Sequence, residues 1–181
     1  MFAVATAASI GLLTMASMTA GAAAQGAAHQ DAQACKTSGL DIWAATNRGS
    51  TYAGGYYNSI YLTNMSGHSC TLLGHAGVST VRLSGKEIGS PAGWVGPAPT
   101  LVTLAPNATA VILVQVGDPA NYPGCILHPG QVPLAAGLRV YPPGQTTSKV
   151  APLPVEACYH HGPVWIHVGP VQGPVFPPDQ G

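Results

Sequence analysis

Histidines in the C-terminal half of the chain are the residues best suited to hold a metal ion. His161 and His167 have the same parity along an extended strand, so both side chains point to one face. His128, or the carboxylate of Glu156, would supply a third ligand for zinc or copper. The alternative is an ordinary polar loop that precedes a strand. A metal site is therefore one hypothesis, and the sequence indicates no other cofactor.

The carboxylates do not show the paired spacing typical of acid–base catalysis. The chain has six Asp and Glu residues, of which Asp31 and Asp179 fall in segments expected to be tails. The other four are Asp41, Glu87, Asp118 and Glu156. Glycoside hydrolysis needs two carboxyl groups about 5 to 9.5 Å apart in the folded protein. The sequence also lacks a Gly-x-Ser-x-Gly elbow and a phosphate-binding glycine loop, so no catalytic residue is predicted.

Aromatic residues favour recognition over catalysis. Four tyrosines fall within residues 52–61, and Trp43 and Trp94 lie elsewhere. Tyr and Trp on an outward sheet face offer stiff, amphipathic contact area for a glycan or a protein. The alternative is that half of them fill the core, because the chain has only two phenylalanines. The predicted binding surface consists of Tyr56, Tyr57, Tyr61 and Trp94.

The four cysteines, Cys35, Cys70, Cys125 and Cys158, are predicted to form two disulfides. None belongs to a Cys-x-x-Cys pair, and their spacing is too wide for a typical tetrahedral zinc site. Three pairings are possible, and the spacing alone does not choose between them. We favour Cys35–Cys70 with Cys125–Cys158, which closes two loops of about 35 residues, each worth about 4 kcal/mol on the chain-entropy model. Two disulfides indicate an oxidising compartment.

The charge content excludes two classes of partner. Charged residues make up 7% of the 181 residues, and the net charge is zero with neutral histidines. Six scattered Lys and Arg residues cannot form the basic surface that nucleic acid or anionic lipid requires. A hydrophobic content of 46% favours a packed domain, even though glycine and proline are abundant.

Short apolar runs predict an all-β domain with almost no helix. Gly, Pro, Asn or Ser residues interrupt these runs every 8 to 12 residues or so, as in an antiparallel sandwich or barrel. In the run 56–64, alternation places Tyr57 and Tyr61 on one face and Tyr56 and Ile60 on the other. The predicted strands are 40–45, 56–64, 69–73, 78–83, 86–88, 101–104, 110–116, 138–141, 146–150 and 164–168.

The two ends of the chain differ from the domain between them. Ala3 to Ala20 is an uncharged apolar run, and Ala22 and Ala24 fit the small-residue pattern of a cleaved export signal. A retained anchor is the rival interpretation, which Thr and Ser residues within the run disfavour. We expect a signal peptide (1–24), a flexible leader (25–34), a sandwich (35–170) and a Pro-rich tail (171–181), which is disordered, lies at a sheet edge or binds a partner as a polyproline helix.

Several segments together resemble an actinobacterial family of exported domains of unknown function. They are Asn64–Val78 (NMSGHSCTLLGHAGV), Leu104–Pro106, Cys125, Leu138–Thr147 (LRVYPPGQTT) and Cys158. Two positions depart from the pattern: Ala76 stands where the family favours proline, and Asn107 where it favours glycine. Asn tolerates a left-handed turn, so the second change keeps the geometry. The resemblance implies an immunoglobulin-like β-sandwich at or beyond the cell envelope, and no known reaction.

The combined prediction is a secreted, disulfide-linked, immunoglobulin-like antiparallel β-sandwich that binds an envelope protein or glycan without catalysis. After signal cleavage we expect no membrane segment. Two alternatives stay open, a zinc- or copper-handling envelope protein that uses the C-terminal histidines and an envelope glycan hydrolase.

Overall fold

The structure, a computed structural model, describes residues 32–128 and 130–176. The predicted signal peptide, the first part of the leader and residues 177–181 of the predicted tail lie outside the described residues. The strands are β1 (Leu40–Tyr52), β2 (Gly55–Asn64), β3 (Cys70–Leu72), β4 (Gly77–Val81), β5 (Glu87–Ile88), β6 (Gly93–Trp94), β7 (Val102–Leu104), β8 (Thr109–Gly117), β9 (Leu134–Tyr141), β10 (Lys149–Glu156), β11 (Ile166–Val168) and β12 (Gln172–Val175). Short 3₁₀ helices span Thr37–Gly39 and Pro119–Asn121. No helix in the described ranges is long and apolar enough to cross a membrane.

The strands form two main sheets and one small one. The larger sheet has the order β1–β2–β8–β11–β6, and β12 also pairs with β8. The second sheet has the order β10–β9–β4–β5, and β3 pairs with β7. The β6–β11 pair is parallel, whereas β1, β2 and β8 pair antiparallel. The predicted all-β, immunoglobulin-like antiparallel sandwich with two disulfides is confirmed.

Alternation along the central strand β8 separates the core from the outer face of the larger sheet. On β8, Ile112, Val114 and Val116 are fully buried, while Leu113 between them is 38% exposed. Each such aliphatic side chain contributes about 1.5–3 kcal/mol on burial. Trp165 is also fully buried. Because aliphatic side chains fill the inner positions of β8, the core needs few tyrosines there.

Three strands extend beyond the predicted ranges or are shifted from them. β1 continues to Tyr52 through an irregularity between Thr46 and Thr51, and β9 begins at Leu134, four residues before the predicted start. β10 occupies 149–156 where 146–150 was predicted, although it contains Pro152 and Pro154. β10 is an edge strand, and an edge position tolerates proline because one side of the strand needs no N–H donor.

Both proline-rich segments contribute to the larger sheet. The segment 90–100 was expected at an edge or in a loop, and it supplies the short edge strand β6. In the predicted tail, β12 pairs with β8 through Gln172 with Val111 and Val175 with Thr109. Residues 172–175 therefore form an edge segment of the sheet, paired with one of its central strands.

The side-chain amide of Asn64 joins the end of β2 to the turn between β7 and β8. Asn64 is fully buried. Its Nδ2 donates to the carbonyl oxygens of His68, Leu104 and Ala105 at 2.9, 3.0 and 3.2 Å. Its Oδ1 accepts from the backbone N–H and the hydroxyl of Ser66 at 3.0 and 2.6 Å. The Asn-x-Ser-Gly pattern therefore has a structural role. We call this set of hydrogen bonds made by the Asn64 side chain the Asn64 lock.

Replacing Asn64 with Ala is expected to lower the free energy of unfolding by about 3 kcal/mol, because it leaves the buried Leu104 carbonyl without this donor and removes the partly buried bonds to His68, Ala105 and Ser66. Urea denaturation followed by circular dichroism measures the change. The exposed Asn121 serves as a control, and its Ala variant should stay within about 0.5 kcal/mol of the wild type. Equal stability of the two variants would show that the lock is dispensable.

The disulfides follow the favoured sequential pairing. Cys35 is bonded to Cys70 with a Cα–Cα distance of 4.9 Å, and Cys125 to Cys158 with 4.2 Å. All four cysteines are buried. The first bridge fastens the segment before β1 to β3, and the second fastens the loop after Pro119–Asn121 to the end of β10.

A variant with both Cys35 and Cys70 changed to Ala is expected to lose about 4 kcal/mol of stability, because its unfolded state regains the freedom of the open loop. Non-reducing urea denaturation checks this value. The matched control is Ser38→Ala, an exposed position beside the bridge, which should unfold like the wild type. An unchanged midpoint in the double variant would contradict the role assigned to the bridge.

Candidate functional site

The structure divides the predicted tyrosine surface between two faces of the larger sheet. On β2, Tyr57 and Tyr61 lie on the outer face with Ser59, while Tyr56 lies on the inner face and packs against the core. Tyr61 is only 7% exposed. The four predicted residues therefore do not share one surface.

Trp43 covers Tyr61 on the outer face. The two residues are paired in the β1–β2 register, and their rings stack with centroids 4.1 Å apart and an interplanar angle of 18°. Stacked pairs of this kind contribute about 0.5–1.5 kcal/mol beyond the area that they bury. Trp43 remains partly exposed, so it is the member of the pair that a ligand would contact. The sequence prediction left Trp43 out of the binding surface.

A groove beside Trp43, here called the Trp43 groove, crosses four strands of the outer face. Its floor is one cross-strand row, in which Asp41 pairs with Thr63, Thr63 with Thr109, and Thr109 with Val175. Paired residues point to the same face of a sheet, so these side chains form a continuous strip. Four strands spaced at about 4.8 Å give the row a length of about 14 Å.

Aromatic residues stand at both ends of this row. Trp43 is on β1 at one end, and Phe176 follows β12 at the other, where its side chain is fully exposed. The volume of the groove is about 530 Å³, which falls within the range of small-ligand sites. The groove thus combines apolar ends with a polar floor.

The polar groups of the floor both donate and accept hydrogen bonds. Thr63 Oγ1 and Thr109 Oγ1 are 2.9 Å apart and share one hydrogen bond, in which either hydroxyl can be the donor. The carboxylate of Asp41 is exposed, and Asn107, which has a left-handed φ of 65°, lies at the rim. Among the described residues that line the groove, none is a Lys, Arg or His, so Asp41 provides its only formal charge.

Residues 35–172 match the family model described as Domain of unknown function (DUF4232). The chain belongs to this family. No curated protein and no solved structure matches it significantly. The Asn64 lock and all four bridged cysteines of this DUF4232 domain lie within the matched range.

Trp94 lies apart from the Trp43 groove. It is 67% exposed and stacks on His75, with ring centroids 5.3 Å apart and an interplanar angle of 12°. In the parallel β6–β11 pair it is aligned with Val168, which is fully buried. The side chain of Trp94 therefore leaves the edge strand β6 on the face of the sheet that is directed to the core, while the side chain of Trp43 lies on the outer face. The DUF4232 domain thus presents two separate exposed tryptophans.

The structure does not bring the predicted metal ligands together. His128 and His161 are exposed, and His167 is partly buried on β11 beside Gly93. Within residues 32–128 and 130–176, no group of three His, Cys, Asp or Glu residues lies close enough to hold a metal ion. The geometry therefore gives no support to a metal centre formed by these histidines.

The tyrosines at the far end of β2 pack against the backbone. The ring of Tyr52 lies over Gly55, and the ring of Tyr122 lies over Gly117. Gly55 and Gly117 are cross-strand partners. A Cβ at Gly55 or Gly117 would meet the phenol oxygen above it at 2.6 or 2.5 Å. Glycine is thus required at both positions, and these two rings serve packing.

Burial raises the pKa of Tyr56 above its ordinary value of 10.0, and the nearby carboxylates of Glu156 and Asp118 raise it further. Asp118 itself accepts a hydrogen bond from the backbone N–H of Ala120 at 2.8 Å, so it caps the 3₁₀ helix Pro119–Asn121. These carboxylates therefore lie near Tyr56, and neither lines the Trp43 groove.

Because the folded state raises the pKa of Tyr56, its protonated phenol contributes stability that is fully present below pH 10 and is lost as the pH rises through the folded pKa. The Tyr56→Phe variant should therefore lose less stability than the wild type between about pH 8 and about pH 11. Urea denaturation at both values measures this. A Tyr159→Phe control should retain the alkaline loss due to Tyr56, and identical alkaline losses in all three proteins would contradict the assignment.

Proposed function

We propose that this DUF4232 domain is a secreted binding domain of the cell envelope or extracellular space, that it has no catalytic activity, and that the Trp43 groove is its contact surface. The observation that carries the proposal is the groove itself. An aromatic side chain stands at each end of a single cross-strand row that contains the carboxylate of Asp41 and the hydroxyls of Thr63 and Thr109.

Two features support secretion. Both cysteine pairs form disulfides, and structural disulfides persist in oxidising compartments outside the cytosol. The apolar segment of residues 1–24 has the length and small-residue ending of an export signal.

The rigidity of the groove floor supports binding. β2 lies between β1 and β8, and β8 lies between β2 and the β11–β12 side, so both central strands are hydrogen-bonded along two edges. Thr63 and Thr109 are next to the Asn64 lock, whose backbone N–H donates to Ala108 O at 2.9 Å. A floor that is already ordered loses little conformational entropy when a ligand binds.

The lining of the groove also argues against acid–base catalysis there. Hydrolysis of a glycosidic bond needs two carboxyl groups, and Asp41 is the single carboxylate among the described lining residues. The described lining of the groove therefore suits the holding of a ligand, and it contains one carboxylate where glycosidic cleavage needs two.

Binding is tested by immobilising the mature chain and measuring the mass of envelope material that it retains. Trp43→Ala should reduce the retained mass about tenfold, because it removes one of the two aromatic contacts of the groove. Trp94→Ala is the matched control, since it truncates an exposed tryptophan outside the groove, and it should retain the wild-type mass. Thermal unfolding verifies that both variants are folded. Equal retention by Trp43→Ala and wild type would refute the proposed surface.

A further inference from the structure

The hydrogen-bonding groups of the Trp43 groove complement a ligand that is rich in hydroxyls. A carboxylate such as that of Asp41 only accepts hydrogen bonds, whereas the amide of Asn107 donates and accepts. The Thr63 and Thr109 hydroxyls carry two hydrogens between them, and their mutual bond uses one. Donors and acceptors thus alternate within a short distance, and a sugar hydroxyl both donates and accepts.

The aromatic ends of the groove suit the other property of a sugar ring. Pyranose rings have an apolar face of C–H groups, which packs against the face of an aromatic ring. Tyr61 holds the Trp43 ring in place from one side, while Phe176 is fully exposed. Aromatic side chains provide large contact areas at a low cost in conformational entropy. The row between them, about 14 Å long, has room for a short oligosaccharide.

The charge of the lining residues further restricts the class of ligand. The described lining residues include one carboxylate and no cationic side chain. A phosphorylated, sulfated or uronic-acid ligand would place its negative charge near Asp41 without a compensating cation, which is unfavourable. A neutral ligand avoids this repulsion and can donate hydroxyl hydrogens to the carboxylate, which makes a charge-assisted bond.

The strand pairing disfavours an extended peptide in the same place. Peptides that add to a sheet use the free backbone groups of an edge strand. The centre of the floor is formed by Thr63 of β2 and Thr109 of β8, and both of these strands are paired on two sides. The centre of the groove therefore offers side-chain hydroxyl groups and no free backbone ladder.

We infer that the Trp43 groove binds a neutral saccharide, held by ring stacking at Trp43 and Phe176 and by hydroxyl contacts to Asp41, Thr63 and Asn107. This inference rests on the proposed binding function and adds the chemical class of the ligand. It assigns Trp43 and Asp41 as the determinants of affinity.

A panel of immobilised oligosaccharides tests the inference with the full mature chain. The panel contains neutral glucans of α- and β-linkage, mannans and N-acetylglucosamine oligomers, together with polygalacturonate and phosphorylated mannan as anionic probes. Wild-type protein should bind at least one neutral probe and none of the anionic ones better. Calorimetric titration of the best soluble probe then gives the dissociation constant.

Four variants separate contact from folding. Trp43→Ala and Asp41→Asn should weaken binding of the best neutral probe by about tenfold each. Phe176→Ala should weaken it by about threefold. This variant should fold as the wild type does, because the Phe176 side chain is fully exposed. Trp94→Ala should bind within about twofold of the wild type. Equal binding by the three groove variants and the wild type overturns the inference.

Two further outcomes are decisive. If no neutral probe binds, or if an anionic probe binds more tightly, the saccharide inference is wrong. Periodate, which cleaves the vicinal diols of sugars, distinguishes this failure from failure of the binding function. If periodate-treated envelope material is still retained by the wild type and is lost in Trp43→Ala, the binding function holds and only the saccharide inference fails. If Trp43→Ala retains envelope material as the wild type does, the binding function fails as well.

Discussion

The buried amide of Asn64 is the interaction on which the geometry of the larger sheet depends. It connects the last residue of β2 to the chain that turns from β7 into β8. Two backbone bonds reinforce it: Asn64 N donates to Ala108 O, and Asn107 N donates to Asn64 O. This junction fixes the alignment of Thr63 with Thr109. Since that pair is the centre of the groove floor, the same contacts that close the fold also position the candidate site.

The aromatic residues serve two purposes that the sheet keeps separate. Trp165 is buried within the core, whereas the stacked Trp43 and Tyr61 stand on the outer face. The aliphatic residues of β8 fill the inner face, so aromatic rings are available outside it. Tyr52 and Tyr122 cover two paired glycines. The tyrosines that cluster in residues 52–61 therefore have different roles: Tyr52 and Tyr56 pack against the backbone or the core, and Tyr61 stacks with Trp43 on the outer face.

Much of the fold follows from local patterns, whereas two of the three errors in the sequence prediction concern how strands distant in sequence are arranged. The alternation in 56–64 correctly separates Tyr56 from Tyr57 and Tyr61, because side chains in a strand alternate between faces. Grouping Tyr56 with the other two as one binding surface ignored that alternation. The predicted strand 146–150 stops before Pro152 and Pro154, and the sequence does not show that β10 lies at an edge, where proline is tolerated. Trp43 was left out because its contact with Tyr61 depends on how β1 pairs with β2.

The strand-rich character, the alternation of faces and the supply of cysteines suited to two bridges are already set by the amino-acid sequence, because each depends on residue type and near-neighbour spacing. The alignment of Asp41, Thr63, Thr109 and Val175 in one row emerges only from the pairing of the strands. The physical reason is that cross-strand register is set by hydrogen bonds between distant segments and by irregularities such as the one after Thr46. Shifting a strand by one residue turns every side chain to the opposite face, so a site built across four strands exists only after their register is fixed.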